Sequence, residues 1–74
     1  MVRITGVEEG SYAADAGIRA GDELISINNE EIADVLDYRF YLTERVVTLR
    51  LLREGETFTV SIHKREYDDI GLSF

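Results

Sequence analysis

Between Glu9 and Asn29 the chain is punctuated so closely by turn formers that no long element fits: Glu9-Gly10-Ser11, Ala16-Gly17, Ala20-Gly21-Asp22 and Asn28-Asn29 each mark a change of direction. Ser11 is a good N-cap, the alanines after it favour helix, and Gly17 stands where a left-handed C′ residue ends one. A very short helix is predicted there. Glu23-Leu24-Ile25-Ser26-Ile27 then reads as a mostly apolar strand, and Asn28-Asn29 tolerate the positive φ angles of a tight reversal. Ahead of this region, Val2-Arg3-Ile4-Thr5 alternates apolar and polar side chains and predicts a strand running into Gly6-Val7.

From Asp34 to about Thr43 the pattern changes to that of the main helix. Asp34 is a plausible N-cap, and Asp37 three residues on forms a variant of the capping box that suits the positive end of the helix dipole. Val35, Leu36, Tyr38, Phe40 and Leu42 supply apolar positions, with Leu36 and Phe40 marking one face. Period two follows: Val47, Leu49 and Leu51 share one strand face, and Phe58, Val60 and Ile62 share another beyond the turn at Arg53-Glu54-Gly55-Glu56. Arg50, Thr57, Thr59, Ser61 and His63 fall on the outward set. Lys64-Arg65-Glu66-Tyr67-Asp68-Asp69 reads as a solvated connection before Ile70-Gly71-Leu72-Ser73-Phe74. About five strands and two unequal helices sum to a compact α+β domain.

Seventy-four residues leave room for one domain. Fifteen acidic against eight basic side chains give a net charge of −7, which repels nucleic-acid phosphates and anionic lipid heads and favours solubility. Nucleic acid and membrane are therefore not expected partners. With no cysteine, the chain has no disulfide, thiolate metal ligand, iron–sulfur ligand or cysteine nucleophile, which fits a reducing cytoplasm. Met1-Val2-Arg3-Ile4-Thr5 has neither the charged nor the apolar region of a signal peptide.

No catalytic, metal or cofactor set emerges from the remaining residues. The sole histidine, His63, lies on an outward strand face without a partner nucleophile in view. Glu8-Glu9, Glu30-Glu31 and Asp68-Asp69 are adjacent pairs that diverge or lie in turns, unlike an acid and base held at defined separation. Neither Asp34-Val35-Leu36-Asp37 nor Asp68-Asp69-Ile70-Gly71 has the ligand spacing of a calcium loop, and the six glycines form no phosphate cradle.

The run from Val7 to Asn29 resembles the signature stretch of bacterial PDZ domains: a strand, a Gly-Ser turn, a small-residue helix ending in Ala16-Gly17-Ile18, then Gly21-Asp22, an aliphatic strand and a reversal. The departure is Asn29, where glycine is usual. The similarity continues through the helix from Asp34 and Leu49-Arg50-Leu51-Leu52-Arg53-Glu54-Gly55. It implies a PDZ-like fold, a small partly open antiparallel β-barrel or sandwich, that binds extended peptides, commonly C-termini, by strand addition.

In such domains a Gly-hydrophobic-Gly-hydrophobic loop offers backbone N–H groups to the terminal carboxylate. The equivalent here is Gly71-Leu72-Ser73-Phe74, with Ser73 in place of the second glycine, and its late position implies a circular permutation. By the same resemblance Asp37 stands at the start of the groove helix and Tyr41 on its floor, while Phe74 only begins the edge strand, so the groove is expected to be truncated.

Leu36-Asp37-Tyr38-Arg39-Phe40-Tyr41 and Asp68-Asp69-Ile70-Gly71-Leu72-Ser73-Phe74 further resemble the N-terminal PDZ-like region of a bacterial family of radical-SAM iron–sulfur proteins. The chain is therefore expected to be a non-catalytic fragment without cofactor, docking a peptide C-terminus or a neighbouring domain of its parent. The substrate-recognition domain of a bacterial PDZ protease is the alternative, and an exposed strand edge offers a route to dimerisation.

Overall fold

A computed structural model describes residues 1–74. Nine elements follow in order: β1 (Val2–Arg3), β2 (Gly6–Val7), α1 (Tyr12–Asp15), β3 (Glu23–Ile27), β4 (Glu30–Glu31), α2 (Val35–Tyr41), β5 (Val46–Arg53), β6 (Glu56–His63) and β7 (Leu72–Ser73). The main sheet runs β1-β3-β5-β6, with β4 on β3, and β2 pairs with β7 in a separate two-stranded sheet. All pairings are antiparallel. This is the expected α+β architecture, and its sheets do not close into a barrel.

Local chemistry sets the turns where the sequence places them. Ser11 caps α1 by accepting from Ala14 N, and Gly17 follows the helix at φ +86°. Asn28 and Asn29 adopt φ values of 52° and 67°, and Glu54 and Gly55 take 51° and 80°, so both hairpins reverse through paired left-handed residues. The expected strand from Val2 through Val7 is broken at Ile4-Thr5, so its halves join different sheets. Ile4 is fully buried at this break, its N–H donating to Asp22 O.

The core joins Ile4, Leu24, Ile27, Ile32, Val47, Leu49, Leu51 and Ile70, all fully buried, to Tyr38, Leu42 and Ile62. Val47, Leu49 and Leu51 point inward as their alternation predicts. On β6 only Ile62 is buried, while Phe58 and Val60 are half-covered, because β6 ends the sheet and less packs over its face. Arg53 lies 4.7 Å over the Phe58 ring and shields part of it.

The Leu36–Phe40 face of α2 is not the face that packs on the core. Leu36 and Phe40 are 75% and 70% exposed, and α2 turns Tyr38 and Leu42 inward instead. The helix is apolar on nearly all sides, so periodicity does not choose its buried face. Tertiary contacts choose it: Lys64, itself buried, donates its ammonium to Leu42 O at the helix end, where a cation suits the dipole. The 64–69 connection is likewise more than a solvated link, since Tyr12 OH donates to Asp68 and Tyr38 OH to Asp69.

Candidate functional site

An open cleft of about 580 Å³ lies between α2 and the Leu72–Phe74 segment. Val35, Tyr38, Arg39 and Leu42 form the helix wall; Leu72, Ser73 and Phe74 form the other; Tyr67 and Asp69 also border it. A broader depression of about 650 Å³ beside Asn28 and Arg45 has Val46 as its single apolar lining residue, so it offers little to anchor a ligand.

Both walls are held from outside the cleft. At the start of α2, Asp34 accepts from Asp37 N at 3.0 Å and Asp37 accepts from Ala33 N at 3.0 Å. The facing segment is tied to the residues flanking β2, Thr5 N donating to Ser73 O and Glu8 N to Gly71 O, each at 2.8 Å. The register sets Gly6 opposite Ser73 and Val7 opposite Leu72. Because β7 pairs with β2 alone, its other edge carries no strand, and its residues border the cleft.

Gly71 opens this segment at φ +93°, and a Cβ there would collide with the Ser11 side chain. Ser73, by contrast, needs no glycine, because it takes ordinary strand geometry in β7. Tyr67 holds φ at 65°, an uncommon conformation for an aromatic residue, on the cleft's rim.

At the base of the cleft the Tyr38 and Phe74 rings meet edge to face, 4.7 Å between centroids. Tyr38 OH donates to Asp69 Oδ1 at 3.1 Å, and Gly71 N–H donates to Asp69 Oδ2 at 3.0 Å. Burial, reinforced by the neighbouring Asp69 charge and hydrogen bond, raises the Tyr38 pKa well above the usual phenol value.

Of the residues expected at the site, Leu72, Ser73 and Phe74 line the cleft and Gly71 begins its loop. Asp37 and Tyr41 do not line it. Asp37 is engaged in capping, and Tyr41 packs against the core and against Phe40, ring centroids 5.0 Å apart. In their place stand Val35, Tyr38, Arg39 and Leu42, whose three- and four-residue spacing was visible in the sequence but no more regular than that of Leu36 and Phe40. Asp69 stood in the Asp68-Asp69-Ile70-Gly71 motif, but nothing in the sequence gave its side chain a role at the site. His63 is exposed on β6, and no group of three or more His, Cys, Asp or Glu side chains is placed to hold a metal ion.

Residues 3–53 match the PDZ domain family model, and the chain belongs to that family. It is accordingly a non-catalytic protein-interaction module. Over 52 residues, 70% of its length, the chain is 44% identical to a probable periplasmic serine endoprotease, DegP-like, of Bartonella henselae. The match spans 9% of that protein's length.

Proposed function

We propose that the α2/β7 cleft receives an extended peptide, which adds as a strand to the free edge of β7 while its side chains enter between Val35, Tyr38, Leu42 and Phe74. The observation that carries this reading is an unpaired strand edge on an apolar helix-walled cleft. The ligand is the C-terminus of a partner or a segment of a neighbouring domain in the parent protein. Placing the Gly71-Leu72-Ser73-Phe74 loop after the last long strand makes this a circularly permuted PDZ domain. Its support is the pairing of Leu72 and Ser73 with β2 near the opposite end of the chain.

The parent we favour is a cytoplasmic bacterial radical-SAM iron–sulfur enzyme, on the strength of the motifs around α2 and Gly71. No cofactor is assigned to this chain. The second reading, a substrate-recognition domain of a protease, draws on the identity with the Bartonella henselae protein. Cysteines or a protease domain in the remainder of the gene would separate the two. The outer edge of β6, which pairs with β5 alone, is the proposed route to a strand-paired dimer.

Peptide binding is tested by titrating a peptide library against the chain and against a form lengthened by the residues encoded after Phe74. Saturable binding that strengthens in the longer form supports strand addition. Absence of binding in both forms rejects it.

A further inference from the structure

The end of the cleft where a peptide carboxylate would sit is already furnished with a carboxylate. Asp69 occupies it, taking the Gly71 N–H with one oxygen and the Tyr38 hydroxyl with the other. The Gly71 N–H, the Tyr38 hydroxyl and the Asp69 carboxylate are thus directed at one another.

The surroundings point the same way. Of the two depressions that border Gly71 on the side away from α2, one is lined by Glu8, Glu9, Asp15 and Asp69 and the other by Glu8 and Asp69, with no cation in either. Arg65 is turned to Asp68 at 3.0 Å. Arg39 is the cation of the cleft and stands on the helix wall. A second carboxylate brought to this loop meets Asp69 at close range, and like charges at such separation disfavour binding. A lysine or arginine brought there meets complementary charge.

Resting on the peptide-binding reading, we infer that the cleft selects an internal extended segment over a free C-terminus, with a lysine or arginine of that segment lying against Asp69. Backbone pairing along β7 needs no chain end, and the apolar wall of Val35, Leu42, Leu72 and Phe74 anchors one side chain of the segment. Tyr38 and Asp69 act as the residues that set this preference, by closing the loop to a terminal carboxylate.

Three synthetic libraries built on one randomised seven-residue core test this directly, one ending in a free carboxylate, one in a carboxamide, and one with the core embedded between Gly-Ser flanks. The expected result is that selected cores carry lysine or arginine and bind at least about tenfold more tightly in the embedded and carboxamide forms. Asp69→Asn, with its fold checked by circular dichroism, is expected to narrow that gap. Equal or tighter binding of the free-carboxylate form overturns the inference while leaving peptide binding intact. Binding by none of the three overturns the peptide-binding reading, and the inference with it.

Discussion

Tyr38 on the groove helix and Asp69 on the loop before β7 are joined by a 3.1 Å hydrogen bond that ties the two walls of the cleft together. Tyr38 is 2% exposed, so the helix presents this hydroxyl from within the core. The bond therefore ties the cleft's geometry to the fold's stability.

Tyr38→Phe keeps the ring against Phe74 and removes only the hydroxyl. The expected loss is about 1 kcal/mol in urea denaturation at neutral pH. The raised phenol pKa adds a pH signature. A folded-state pKa above the unfolded value near 10.0 gives stabilisation that is complete below that value and lost as pH rises through the folded one. The wild type should therefore lose stability above pH 10 more steeply than Tyr38→Phe, in melts taken across the alkaline range.

Asp22 supplies the opposite limb. Its buried carboxylate takes Arg53 Nε and a terminal guanidinium nitrogen at 2.7 Å each, and the Arg19 N–H at 2.9 Å. The Arg53 hydrogen bond lowers the Asp22 pKa against the opposing effect of burial, with the Arg19 amide adding to it. A lowered folded-state value gives stabilisation that is present above the unfolded value of 3.8 and lost as pH falls through the folded one. Asp22→Asn should cost about 2 to 3 kcal/mol at neutral pH, below the range for fully buried pairs because Arg53 stays partly solvated. It should also flatten the acid limb of the stability profile.

Gly71→Ala combines a left-handed backbone with a collision against Ser11, the N-cap of α1. A loss of about 2 to 3 kcal/mol is expected, read from thermal or urea denaturation. Ser73→Gly, at an ordinary strand position, should change stability by less than about 1 kcal/mol.

The orientation of α2 is tested by truncating its two faces. Leu36→Ala and Phe40→Ala should each shift stability by about 0.5 kcal/mol or less, since both side chains are largely in solvent. Leu42→Ala should cost about 2 to 4 kcal/mol by opening the core. The reverse ranking would place the helix the other way round.

Much of this fold was legible in the sequence because its turns carry their own chemistry. Ser11, Gly17, Asn28-Asn29 and Gly55 each take the conformation their residue type favours. The β5 face of Val47, Leu49 and Leu51 followed from alternation alone. The site was legible only on its strand side, where Leu72, Ser73 and Phe74 sit in a recognisable motif. On the helix side, Leu36 and Phe40 compete with Val35, Tyr38 and Leu42 for the same role. The decision comes from Lys64 and Asp69, far along the chain, which hold Leu42 O and Tyr38 OH. Long-range contacts of that kind leave no periodic trace.

Docking of an extended segment between α2 and β7 is read out by titrating a library-selected peptide into isotope-labelled protein and mapping the backbone amide shifts. Perturbations are expected to concentrate at Leu72, Ser73 and Phe74 with Val35, Tyr38 and Leu42. Perturbations centred instead on the outer face of α2 at Leu36 and Phe40, or along β6, would contradict it.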